Sequence, residues 1–163
     1  MNSRSSFSRR LAVAVMLTVL STSAALAHVK NLSVLGSFDG YDIGVLQGGT
    51  FQASGGGAGS ASHIGRFTYI VNATVNLADN SSTGVFLLVF NNGDVIHGSL
   101  AGLGEVTAPK AAHIVENLTI NGGTGRFEGA TGSLKFDRIV DGSTLPAFES
   151  SSGTLTGTIS IVK

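Results

Sequence analysis

The sequence predicts an all-β domain, a closed antiparallel barrel behind an N-terminal signal peptide, and three observations carry that expectation. Apolar residues recur at every second position in several stretches, Gly-rich turns separate those stretches, and no segment sustains a 3.6-residue period. Charged residues make up 12% of the chain, against about 25% in an ordinary soluble domain. Strand edges therefore have few charges to guard them, and closure hides them. A β-sandwich shares those three observations; the scarcity of charge favours the barrel.

Residues 1–27 read as an address. Arg4, Arg9 and Arg10 precede the apolar run Leu11 to Leu20, and Ala25-Leu26-Ala27 offers the small residues of a cleavage site. The run is too short for a stable membrane anchor. Cleavage after Ala27 leaves a single domain, 28–163, secreted or periplasmic, whose length suits one real core. Loss of the three arginines makes that domain net acidic. A nucleic-acid partner is thereby excluded, because it needs clustered positive charge. The chain has no cysteine, so stability has to come from packing and backbone pairing.

Within the domain, Gly44 to Ala53 is a candidate strand, and Ser54 to Ser62, mostly Gly, Ser and Ala, reads as a flexible run. Arg66 to Leu77 is the clearest strand: Phe67, Tyr69, Val71, Ala73, Val75 and Leu77 share one face and polar residues take the other. Gly84 to Phe90 is apolar on both faces. It ends at Asn91-Asn92-Gly93-Asp94, where Asn and Gly tolerate the positive φ of a tight hairpin, and Val95 to Ala101 follows as the partner strand. Ala112 to Asn121, Ser133 to Val140 and Gly153 to Val162 repeat the alternation, for seven or eight strands in all. Pro109 to Ala112 is the one short candidate helix.

The stretch INGGTGRFEGATG, residues 120–132, has the glycine spacing of a dinucleotide cradle. That cradle needs a helix to begin at once. Here Ala130-Thr131-Gly132-Ser133 is a poor helix start and Leu134 to Asp137 alternates like a strand, so the motif reads as a corner in an antiparallel ladder.

Gly122 to Gly132 also resembles the GGTG-x-F-x-x-A-x-G signature of dirigent proteins and is similar to the matching turn of allene oxide cyclases. SHIGRFT (Ser62 to Thr68) and GATGSLKFDRIVD (Gly129 to Asp141) resemble segments of an uncharacterised bacterial secreted branch of that superfamily. The resemblance implies an eight-stranded, calycin-like antiparallel barrel with a mostly apolar cavity, often a homotrimer. Its plant members cyclise an unstable fatty-acid epoxide or steer the coupling of phenoxy radicals.

Site candidates follow from strand parity. Glu116 falls on the same face as Ile114, Leu118 and Ile120. A carboxylate on an apolar face can serve as an acid or base in a pocket, so Glu116 is the candidate catalytic residue. The bland alternatives are an edge position, a one-residue bulge, or an ion pair with Arg126 or Arg138. Asp137 and Arg138 themselves read as a rim ion pair. Phe67, Tyr69, Val71, Leu118, Phe127 and Phe136 are the candidates for a ligand cavity. No cofactor and no metal is expected; the one alternative is copper held by a processed N-terminal His28, in a histidine brace completed by His63, His97 or His113. No Ser stands in a G-x-S-x-G elbow, so serine hydrolysis has no support.

The expected function is that of an exported barrel, without catalysis, that binds a small apolar molecule or serves as an assembly module. It would not be an integral membrane protein. The alternatives are a cyclase or isomerase resembling allene oxide cyclase, a dirigent-like guide protein, and a surface or adhesion protein.

Overall fold

The structure, a computed structural model, describes residues 28–145 and 148–162, so the expected signal peptide lies outside the described residues. Eight antiparallel strands close into one barrel in chain order: β1 Val29–Gln47, β2 Thr50–Ala61, β3 Gly65–Asn76, β4 Ser81–Phe90, β5 Val95–Ala108, β6 Ala111–Gly123, β7 Thr131–Leu145 and β8 Phe148–Val162. Each strand pairs with its sequence neighbours, and β8 returns to β1 over the long register Val29↔Val162 to Asp42↔Glu149. Closure leaves no free edge, which is how a chain so poor in charge avoids edge-to-edge association.

Three expectations need correction. The run Ser54 to Ser62 is almost wholly strand, the second half of β2, and Gly44 to Ala53 is divided by a turn at Gly48-Gly49. The physical reason lies across the ladder. Gly57 is paired with Tyr69 and Gly59 with Phe67, and side chains at these glycines would collide with both rings. The glycines are thus room for their neighbours. Pro109 and Lys110 form the β5–β6 turn and no helix.

The interior is layered. At the end formed by the β2–β3, β4–β5 and β6–β7 connections, Leu32, Ile64, Phe90, Ile96 and Ile159 fill the lumen. A single 3-10 turn, Gly125–Phe127, lies across this end and pushes Phe127 inward against Phe90, ring centroids 4.7 Å apart. Gly125 takes φ +57, and a side chain there would strike the Asp94 carboxylate, so the glycine is required by both conformation and space. The motif is a corner that seats a plug. Arg126 ties the plug down: its guanidinium lies over the Phe90 and Phe127 rings and donates to the Ile64 carbonyl at 2.6 Å. Above the plug Phe38, Tyr69 and Phe136 form a three-ring layer with centroids 4.4–5.5 Å apart.

Phe127→Ala opens one end of the lumen where the corner cannot collapse to fill it. The expected loss is about 3–5 kcal/mol of unfolding free energy, to be read from the denaturant midpoint.

Candidate functional site

The site is built where the alternation of the strands is broken from inside. Along β1, β6 and β7 the inward positions carry apolar residues or glycine until they reach Asp42, Glu116 and Arg138. These three lie in one layer directly above the aromatic one, and all are buried. Each faces a glycine on the next strand: Asp42 is paired with Gly55, Glu116 with Gly102 and Arg138 with Gly153. A Cβ at Gly55 would stand 2.1 Å from Asp42 Oδ1, and one at Gly102 would stand 2.6 Å from Glu116 Cγ. The neighbouring strands are bare where the charged side chains have to cross the lumen.

Arg138 is the centre of the layer. Its Nε donates to Glu116 Oε2 at 3.0 Å and its Nη2 to Glu116 Oε1 at 3.3 Å, a fork-on-fork pair. Its Nη1 donates to Asp42 and, at 3.0 Å, to Ser151 Oγ. Burial on its own would make the guanidinium easier to deprotonate. The Glu116 and Asp42 charges more than offset it and hold Arg138 protonated more firmly than in water. The expected rim pair is therefore corrected, because Asp137 and Arg138 occupy opposite faces. Arg138 enters the lumen, while Asp137 points outward to His113 Nε2 at 2.8 Å and Lys135 Nζ at 3.1 Å.

Two polar groups at this level remain unpaired among the described residues. The Tyr69 hydroxyl rests against Gly40 beside the cluster and completes no hydrogen bond, while Ser151 is engaged by Arg138. Burial first, and then the Asp42 charge, pushes Tyr69 up to about 12. Ser82 Oγ, on the β4 side, is the second.

Above the charged layer the barrel is open. A cavity of about 230 Å³ extends to the mouth formed by the β1–β2, β3–β4 and β5–β6 turns. Its walls are Phe51, Ala53, Val71, Ala73, Val75, Ile114 and Val140, and its polar residues include Asp42, Ser82, Glu116, Arg138 and Glu149. The sequence-predicted residues divide at this level. Glu116 and Val71 line the cavity; Tyr69 and Phe136 lie one layer below; Phe67 and Leu118 are in the filled core. Phe127 reaches only a shallow groove at the closed end, with Lys30, His63 and Arg126. His28 is exposed ahead of β1, and among the described residues no three His, Cys, Asp or Glu side chains gather as a metal site. Asp42, Ser82 and Glu149 were not singled out by sequence. The parity of Asp42 with Val34 and Phe38 was the available signal, hidden because Gly36 and Gly40 take the inward positions between them.

No family model matches the chain, and no curated protein matches it. Among solved structures it is similar to a pterocarpan synthase dirigent protein, with a TM-score of 0.49 and 13% sequence identity, covering 84% of this chain and 87% of that one. Among the described residues no helix is long and apolar enough to cross a membrane.

Arg138→Met strands two buried carboxylates and is expected to cost about 3–5 kcal/mol, measured by chemical denaturation. Tyr69→Phe removes a hydroxyl that has no partner, so at neutral pH the variant should be at least as stable as the parent. Because the phenol is held above its unfolded value of about 10, its contribution is whole below that pH. It is lost as pH rises toward about 12. The parent should therefore lose more stability than Tyr69→Phe across this window in pH-dependent melts.

Proposed function

We propose that this protein is an exported barrel that holds a small, mainly apolar molecule in its open half and performs no catalysis on it. The observation that carries the reading is the asymmetry of the lumen. One half is packed to the aromatic layer, while the other is an apolar-walled cavity with polar groups confined to its base and one side. Ligand pockets are commonly apolar enclosures with a few placed polar groups. The rim carries exposed Leu46, Leu77 and Val106, an apolar approach to the opening. Export rests on the signal-like residues 1–27, and the dirigent-like turn at Gly122 to Gly132 fits a barrel of this kind.

A second reading, a cyclase or isomerase, is favoured by one observation: Glu116 lines the cavity. Against it, both Glu116 oxygens accept from Arg138, so proton transfer by Glu116 would have to break a buried fork-on-fork pair. A surface or adhesion role has less support, since a barrel used only for its exterior has no need of an open lumen.

Native mass spectrometry of protein purified from its source compartment should show a mass above that of the chain, released on denaturation, with the oligomeric state read from the same spectrum. Ala73→Phe, which fills the cavity from β3, should abolish the retained mass while leaving the far-ultraviolet circular dichroism of the barrel unchanged. An empty parent protein in repeated preparations would overturn the reading.

A further inference from the structure

The charges inside the barrel do not balance, and the imbalance faces the cavity. One guanidinium, Arg138, serves two carboxylates, Glu116 and Asp42. A third carboxylate, Glu149 of β8, lines the same cavity and stands directly across the strand pair from Asp42 on the inward face. Among the described residues, Glu149 has no hydrogen-bond or ion-pair partner. Like charges placed opposite each other in an antiparallel pair destabilise it. Burial, and then the Asp42 charge, accordingly pushes the Glu149 carboxyl above its ordinary range. Among the described residues Arg138 is the only basic one in the cavity lining, and its Nε, Nη1 and Nη2 are all engaged inside the cluster.

A second observation points the same way. Ser82, 5% exposed, lines the cavity with an unpaired hydroxyl. It lies on the Glu116 side of the lumen, where a Cβ at Gly102 would meet both Ser82 Oγ and Glu116 Cγ. Among the described residues, the cavity thus offers negative charge and an unpartnered hydroxyl, with no free basic group. A carboxylate ligand would meet the unpaired Glu149 beside Asp42 with only the Ser82 hydroxyl and an already engaged Arg138 to favour it, whereas an ammonium nitrogen would gain two carboxylate acceptors.

Resting on the binding role proposed above, we propose that the ligand is a small organic cation. It would be a primary or secondary ammonium compound whose nitrogen sits between Asp42 and Glu149 and whose hydrocarbon part lies along Val71, Val75, Ile114 and Val140. The Asp42–Glu149 pair is then a stability cost retained for recognition, as functional sites often are.

The test is calorimetric titration of the processed chain with three probes of similar carbon skeleton: 2-phenylethylamine, 2-phenylethanol and phenylacetate. The amine should bind at least about tenfold more tightly than the alcohol, with phenylacetate weakest. Glu149→Gln should bring the amine down to the affinity of the alcohol and, by relieving the like-charge pair, raise the melting temperature. Equal binding of the amine and the alcohol, or tighter binding of phenylacetate, overturns the cation assignment and leaves the cavity's binding role standing. Failure of all three probes to bind overturns both. An unchanged amine-to-alcohol ratio in Glu149→Gln, with the variant folded, removes Glu149 from recognition and the proposal with it.

Discussion

The buried guanidinium of Arg138 is the constraint on which the interior of this barrel depends. A guanidinium cannot shed its charge, so once β7 turns Arg138 inward, the surrounding strands have to supply carboxylates, a hydroxyl and space. β1 supplies Asp42, β6 Glu116 and β8 Ser151, while Gly55, Gly102 and Gly153 leave room for the charged side chains. The layer joins strands that are distant in sequence around the lumen. It also divides the barrel in two, because apolar packing stops where charge begins.

That division explains why a chain with a real core still has a cavity. Below the charged layer the rings of Phe38, Tyr69 and Phe136 and the plug at Phe127 fill the lumen. Above it Ala53, Ala73, Gly104 and Ala112 stand among the larger Phe51, Ile114 and Val140, and the same circumference encloses space. An eight-stranded barrel has an interior just wide enough either to be filled by side chains or to hold one small ligand. This barrel is filled by side chains in one half and open in the other.

Much of the fold was legible because alternation is a local property. Arg66 to Leu77 shows its inward face residue by residue, and Glu116 is placed by its parity with Ile114 and Leu118. β2 was not legible. Its inward positions include Gly55, Gly57 and Gly59, which have no side chain to display a period, and their meaning lies in Asp42, Tyr69 and Phe67 on adjacent strands. The same holds for the site. Glu116 stood out against an apolar face, but Asp42 and Glu149 lie 107 positions apart, and only the β1–β8 closure makes them neighbours.

The sequence by itself determined the class: period-two patterning, turn glycines and scarce charge compel an antiparallel all-β domain with hidden edges. It determined too that residues 120–132 form a corner, since nothing after them can begin a helix. Tertiary structure alone decided which polar residues meet, because pairing register is a long-range property set by closure. The register of β7 against β8 and of β8 against β1 brings Arg138, Asp42 and Glu149 to one level of the lumen. A slip of one residue in a strand would turn its charged side chain outward and break the cluster.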